Sequence, residues 1–206
     1  MSEKRNVPAI RFAGFTDAWE QRKVGDIITS EVRPITMEDD SLYQLLTVKR
    51  RNEGVVSRGW FKGRDILVKN YFRVRSGDFV ISKRQIIHGA NGMVPESLDN
   101  AIVSNEYLVC VSNNSITTEF LTLYSQLPEM YKMYFLSSYG VDVEKMVFNV
   151  EDWYKRQLFL PSIEEQKQLT RFFSHIDHLI TLHQRKSTRL LYTYSKEGNM
   201  VVFDVR

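Results

Sequence analysis

Short β-rich runs punctuated by glycines fill the middle of the sequence and restrict the fold more than any other feature. Each run is dominated by β-branched, aromatic and other apolar residues, which favour strands, and glycines occur between many of them. The runs cover residues 42–48, 55–61, 71–74, 79–82, 101–103 and 107–111. This pattern predicts a twisted β-sheet with long connecting loops.

Helical patterns flank the predicted sheet. Asp17 followed by Glu20 resembles a capping box and predicts a short helix over residues 18–28. Two further helices are predicted over 115–127 and 129–136, and a last strand over 157–160. We therefore expect an α+β fold, with a domain of twisted sheet and flanking helices over residues 1–161.

A long amphipathic helix is predicted to follow this domain. Ser162 and Glu165 form a second capping box after Pro161, and apolar residues then recur at spacings of three and four. The stripe consists of Leu169, Phe172, Phe173, Ile176, Leu179, Ile180 and His183. It either packs on its own domain or faces a partner. We expect a protruding, coiled-coil-like docking region over 162–194 and an atypical tail over 195–206.

Positive charge is concentrated in one part of the chain. The net charge is only +3, but residues 45–90 contain eleven basic and three acidic side chains, a local net charge of +8. The rest of the chain is mildly acidic. Such asymmetry indicates a polyanionic partner, although basic clusters are also common on ordinary solvated surfaces.

Two segments of this basic region suit DNA. Lysine and arginine contact phosphates, whereas arginine, glutamine and asparagine can also read base edges. The predicted phosphate contacts are Lys49, Arg50, Arg51, Arg58, Lys62 and Arg64. The predicted base readers are Lys83, Arg84, Gln85, His88 and Asn91. The alternative for the second segment is a long hairpin loop with an Asn91-Gly92 turn.

The sequence lacks the common catalytic motifs. It contains no glycine-rich nucleotide-binding motif and no Asn-Pro-Pro-aromatic stretch of an amino-methylating DNA methyltransferase. His175 and His178 lack a cysteine cluster or His-Glu-x-x-His pattern, and acidic residues such as Glu144 fit solvated turns. We expect no catalytic or metal-binding residues in this chain.

The expected compartment is the cytoplasm. The sequence has no secretion signal and no apolar run of the roughly 20 residues that a membrane span requires. Its single cysteine, Cys110, lies in a strand-like run and is predicted to be a buried free thiol.

Four groups of residues resemble the specificity subunits of type I restriction-modification systems. They are Val7, Pro8, Ile10–Phe12 and 14–23; 77–84; 104–107; and 160–166 with the helix residues 180–186. The Pro-Ser-x-Glu-Glu-Gln junction at 161–166 is the most specific of them. The resemblance covers residues 7 to 186, which is most of the chain.

This resemblance implies a target-recognition domain that binds double-stranded DNA and reads one half of a bipartite site. It also implies a helix that docks modification methyltransferase subunits and, through them, the restriction subunit. Catalysis, with S-adenosylmethionine, ATP and magnesium, would belong to the partner subunits, so the chain itself is expected to be non-catalytic and without cofactor.

The sequence departs from that family in two ways. Family members usually hold two recognition domains in tandem, whereas this chain has one, so it resembles a half-length form that would form a homodimer or pair with another specificity half. The regular apolar repeat of the helix also stops after Lys186. The alternative function is a truncated subunit that dimerises or binds methyltransferase without productive DNA recognition. A stand-alone nuclease or methyltransferase is the third class.

Overall fold

The computed structural model describes Pro8 and residues 10–196, with the side chains of the last helix described through Arg185. The chain divides into two compact units, the first ending at Lys167 and the second beginning at Gln168. Most of the predicted tail, residues 197–206, lies outside the described residues.

The first unit contains twelve strands and four α-helices among the described residues, and one long helix begins near its end. The strands are β1 Glu20–Lys23, β2 Ile28–Ser30, β3 Leu42–Val48, β4 Val55–Lys62, β5 Tyr71–Arg73, β6 Phe79–Ser82, β7 Asn91–Met93, β8 Ile102–Ser104, β9 Tyr107–Ser112, β10 Ser138–Tyr139, β11 Val147–Phe148 and β12 Gln157–Leu160. The helices are α1 Val24–Ile27, α2 Thr118–Tyr124, α3 Pro128–Leu136, α4 Val150–Lys155 and α5 Ile163–Lys196. The predicted α+β class is confirmed.

Two four-stranded sheets share the main core. One has the strand order β2-β9-β6-β7 and is antiparallel; the other has the order β4-β3-β8-β5, with β3 and β8 parallel. Val80 and Val109 of the first sheet pack in one cluster with Leu46 and Val103 of the second. Their neighbours Leu45 and Ile102 belong to a separate cluster with Ile66, because successive strand residues point to opposite faces.

An aromatic cluster closes the end of the first unit around α3 and α4. The rings of Tyr134, Phe148 and Trp153 lie 5.4–5.8 Å apart between centroids. Tyr134 and Trp153 are almost fully buried. This cluster packs α3 against the rest of the unit and so fixes the helix that borders the candidate site.

The predicted helix over residues 18–28 is wrong. Residues Glu20–Lys23 instead form β1, which pairs antiparallel with β12, and only the single turn Val24–Ile27 is helical. The strand is Glu-Gln-Arg-Lys and fully exposed, so it has no apolar pattern of its own. β1 pairs with β12, and the paired residues Lys23 and Gln157 are 134 positions apart in the sequence. This long-range pairing outweighs the local capping signal.

The last helix begins where the sequence predicted. Ser162 precedes α5, and its Oγ accepts a hydrogen bond from the Glu165 backbone N at 3.3 Å. No helix among the described residues is both long enough and apolar enough to cross a membrane.

Candidate nucleic-acid interface

The two basic segments that were predicted separately meet in the folded chain. The first is the turn between β3 and β4, and the second follows β6 and contains the 3-10 turn Ile86–His88. The backbone N of Arg51 donates to the carbonyl of His88 at 2.7 Å, and that of Asn52 donates to the carbonyl of Gly89 at 2.9 Å. Backbone hydrogen bonds therefore join the two loops directly, and this connection does not depend on their side chains.

Backbone geometry at this junction is unusual. Arg51 and Asn52 have φ values of 59° and 57°, and Gly89 has a φ of 73°. Two successive positive φ values and the Glu53 N to Arg50 O bond of 3.3 Å are typical of a type I′ turn. Asparagine and glycine tolerate this region, but an arginine is strained there. The bond from Arg51 to His88 helps to hold that strained conformation.

The joined loops form one side of an open cleft of about 570 Å³. Arg50, Arg51 and His88 line it from the loops, and Gln126 and Tyr131 line it from the start of α3 and the residues before it. Tyr131 is 49% exposed and stacks on Phe135, with 6.4 Å between ring centroids. The cleft thus combines cations, an amide and an exposed aromatic ring, which are the groups that contact nucleic acids.

Buried polar groups form the floor of the cleft. Asn91 is only 2% exposed, and its Oδ1 accepts from Ser125 Oγ at 2.6 Å. Its Nδ2 lies 3.5 Å from Asn52 Oδ1, so Asn91 connects the β3–β4 turn to the end of α2. The Tyr134 hydroxyl is buried without a hydrogen-bond partner among the described residues, and burial raises the pKa of this group. The floor is therefore polar and held mainly by Asn91.

Charges at the rim partly compensate one another. Glu144 lies 3.5 Å from Arg50, between Oε2 and Nη2, and 3.5 Å from His88, between Oε1 and Nε2. Lys49 lies 3.7 Å from Glu53 on the outer side of the turn. Arg51 is exposed, and no ion pair is seen for it among the described residues.

The other predicted phosphate contacts lie away from this cleft. Arg58 occupies a bulge of β4 between Ser57 and Gly59, and Lys62 pairs with Leu42 at the opposite end of the β3–β4 hairpin from Arg51. Arg64 forms an ion pair with Asp40. The structure therefore keeps Lys49, Arg50 and Arg51 together at the β3–β4 turn and places Arg58 in mid-strand and Lys62 and Arg64 at the far end of β4 or just beyond it.

The predicted base readers before His88 are placed less favourably. Lys83 is half-buried, and Arg84 Nε donates to Glu106 Oε2 at 2.6 Å. Gln85 has a buried Oε1 without a partner among the described residues. His88 and Asn91 are the members of this set that line the cleft. Whether any of them reads a base stays a prediction.

Sequence reasoning missed three residues at the cleft: Gln126, Tyr131 and Glu144. Tyr131 carries a usable signal in the sequence, because Leu127, Tyr131 and Phe135 recur every fourth residue. In the structure each of the three is at least 41% exposed. Glu144 was assigned to a solvated turn. Its approach to Arg50 and His88 depends on tertiary folding and has no local signal.

The predicted partner-binding stripe lies on one helix, α5. Phe172, Phe173, Leu179 and Ile180 are 42–51% exposed, whereas Leu169 and Ile176 are half-buried. His183 is exposed. In a helix, residues at spacings of three and four share one face, so the stripe presents a continuous apolar surface.

No group of three or more potential metal ligands is found among the described residues.

Solved structures resemble this chain over most of its length. The HsdS subunit of Thermoanaerobacter tengcongensis matches with a TM-score of 0.66 and 19% identity, covering 84% of this chain and 47% of that one. This chain has the fold of about half an HsdS subunit. A chain from a type I R-M system, studied for complex assembly and conformational transition, matches with a TM-score of 0.63 and 19% identity. That match covers 89% of this chain and 47% of the other.

The resemblance to specificity subunits is thus confirmed at the level of the fold, and the chain spans about half the length of the solved chains that it matches. No family model matches the sequence, and neither does any curated protein.

Residues behind the HsdS resemblance hold the fold together. Asp78, which is 3% exposed, accepts hydrogen bonds from Arg33 at 2.6 Å and from the Arg75 backbone N at 2.7 Å. Gln166 is fully buried, and its side chain bonds to Thr117 N, Ser115 O and Pro161 O at 2.9–3.0 Å. Hydrogen bonds within the chain therefore fix both of these buried side chains.

Proposed function

We propose that this chain is a specificity subunit of a type I restriction-modification system. It binds double-stranded DNA, reads one half of a bipartite target and docks the modification methyltransferase. It performs no catalysis itself, and S-adenosylmethionine, ATP and magnesium act on the partner subunits. The fold likeness to HsdS supports the subunit type, and the site supports the DNA-reading role.

The observation that carries the proposal is the junction of the two basic loops. Arg51 and His88 come from segments that sequence analysis assigned to phosphate contact and base reading, and a 2.7 Å backbone bond holds them together. Cations at the rim, Arg51 first among them, would bind phosphates, while His88, Gln126 and Tyr131 would face base edges. One cleft would then combine affinity with sequence discrimination.

The docking role rests on α5. Its apolar stripe is about half exposed at Phe172, Leu179 and Ile180, and contiguous exposed apolar surface is typical of interaction sites. Two copies of the chain, or this chain and another specificity half, would supply the two halves of a complete DNA site. Pairing of two identical copies would give a palindromic split target.

A salt series tests DNA binding. The binding of a labelled random-sequence duplex is measured by fluorescence anisotropy, with the chain alone and with the modification subunit. The affinity should fall steeply with salt, because each phosphate contact releases counterions. Each contact adds about −0.9 to the slope of the logarithm of the binding constant against the logarithm of the salt concentration. The variant Arg50→Gln/Arg51→Gln should bind more weakly and with a smaller slope. Lys23→Gln/Lys155→Gln is the matched control, since both lysines are exposed and lie outside the cleft.

Failure of this test has a defined meaning. Equal loss in the two double variants would show that only net charge matters. Association with the modification subunit without any DNA binding would instead favour the alternative, an interaction protein that binds methyltransferase without productive recognition. If DNA binding is instead observed, methylome sequencing of cells that carry the chain and its modification subunit would identify the target sequence.

A further inference from the structure

Glu144 is an acidic side chain that lies beside two of the residues lining the cleft, Arg50 and His88. It lies in the 3-10 turn Val143–Lys145, whose start is capped by Asp142, since Asp142 Oδ1 accepts from Lys145 N at 3.1 Å. One carboxylate oxygen lies 3.5 Å from Arg50 Nη2, and the other lies 3.5 Å from His88 Nε2. A capped turn therefore presents this carboxylate beside two nitrogen groups of the cleft.

A carboxylate at this place opposes phosphate binding. It repels the DNA backbone and neutralises part of the charge of Arg50. The ion pair is also weakly held, because Arg50 is 52% and Glu144 is 64% exposed, and exposed pairs gain little from their attraction. Neither backbone binding nor stability gives a reason for Glu144 to stand here. DNA could contact both side chains, because breaking this weak ion pair would require little free energy.

Base edges offer a partner that phosphates do not. In the major groove, guanine presents two acceptors, O6 and N7, which match the parallel donors of an arginine. Cytosine, paired with that guanine, presents an amino donor, which a glutamate accepts. Arg50 and Glu144 lie side by side and offer donors next to an acceptor. An A·T pair would instead place an adenine amino donor against the donors of Arg50.

We infer that Arg50 and Glu144 together read one G·C base pair of the DNA target, with Arg50 at the guanine and Glu144 at the cytosine amino group. The inference rests on the proposed DNA-binding function and names the base pair that this part of the cleft recognises. His88 Nε2 lies 3.5 Å from the same carboxylate. Arg50 then serves in base reading and leaves Arg51 for the phosphates.

Selection from a random duplex library tests the inference. The full chain, alone and with the modification subunit, is used to enrich DNA, and the base preference at every enriched position is obtained by sequencing. Glu144→Ala and Arg50→Ala are compared with the wild-type chain. Glu53→Gln is the charge-matched control, because Glu53 is exposed in the same turn and pairs with Lys49, which does not line the cleft.

The wild-type chain should prefer G·C over the other pairs at one position by about tenfold, the order of one good bidentate contact. Glu144→Ala and Arg50→Ala should both relax that same position, and Glu53→Gln should leave it unchanged. An increase in affinity of Glu144→Ala for all sequences alike, or relaxation of different positions by the two variants, would overturn the inference. An absence of any enrichment by the wild-type chain would overturn the proposed function as well.

Discussion

Arg11 and Glu165 form a two-pronged salt bridge inside the first compact unit. Arg11 Nε donates to Glu165 Oε1 at 2.9 Å, and Arg11 Nη2 donates to Glu165 Oε2 at 2.5 Å. The side chains are 9% and 1% exposed, so the Glu165 carboxylate is buried and the Arg11 side chain is largely covered. The pair joins the N-terminal segment to the first turn of α5, and the hydrogen bond that Arg11 donates to Glu165 raises the pKa of Arg11.

Replacing Glu165 with alanine should destabilise the first unit clearly, because the Arg11 charge then lacks its partner in a poorly hydrated place. We expect the thermal unfolding midpoint, measured by circular dichroism, to fall by roughly 5 °C. Glu164→Ala is the control, since Glu164 is the exposed neighbour in the same turn. Equal midpoints for the two variants would show that the pair contributes nothing.

Replacing Gly89 with alanine should separate the two loops of the cleft. An added Cβ would lie 2.9 Å from Asn52 Oδ1 and 3.1 Å from Asn52 N, and the latter atom cannot retreat without losing its bond to the Gly89 carbonyl. Gly77→Ala is the control, because Gly77 also has a positive φ, 86°, but nothing lies within 4 Å of its added Cβ.

Both glycine variants should lose about 1 kcal/mol of stability in urea unfolding, the cost of a left-handed conformation for a residue with a Cβ. Only Gly89→Ala should also weaken DNA binding several-fold, as measured by anisotropy. DNA affinity that falls equally in both variants would refute the role of the loop junction.

Cys110 should be unreactive in the folded chain. It is fully buried in β9, and burial raises the pKa of its thiol to about 12 from an ordinary 9.0. Because the thiolate is the reactive form, a thiol reagent at pH 8 should label Cys110 only in denaturant. Stoichiometric labelling of the native chain within minutes would contradict the buried position.

The same pKa difference has a consequence for stability. The unfolded thiol ionises near pH 9.0 and the folded thiol only near pH 12. The contribution of the buried thiol is therefore fully present below pH 9 and is lost progressively as the pH rises between these values.

The sequence predicts elements whose side chains carry their own apolar pattern. Strand β6, Phe79–Ser82, is buried at all four positions and was predicted with its observed bounds. Strand β1, Glu20–Lys23, is polar and exposed, and it exists because β12 lies beside it. Its local residues favoured a helix, so no pattern within that segment could have predicted a strand.

The candidate site shows the same division. The basic residues and the glycines could be identified from the sequence, but the meeting of Arg51 with His88 depends on tertiary folding. The alternative of a long hairpin loop fits the antiparallel pairing of β6 with β7, but its Asn91-Gly92 turn is wrong, because these two residues lie in β7 and pair with Ile81 and Val80 of β6. The turn that closes this loop instead uses Gly89, whose φ is 73°.

The apolar stripe of α5 leads to a prediction about association. Phe172 and Ile176 lie one turn apart on the same face, and replacing both with aspartate would place two charges within that surface. We expect the variant Phe172→Asp/Ile176→Asp to lose association with the modification subunit or with a second copy, because burying an unpaired carboxylate in an apolar interface is costly. Size-exclusion chromatography with light scattering measures self-association, and co-purification measures binding to the modification subunit.

The matched control is Ser174→Asp/His178→Asp, which adds the same two groups on the opposite face of the helix. Circular dichroism should show the first unit still folded in both variants, since it ends at Lys167. Association that survives in the stripe variant would instead mean that Phe172 and Ile176 pack within their own chain.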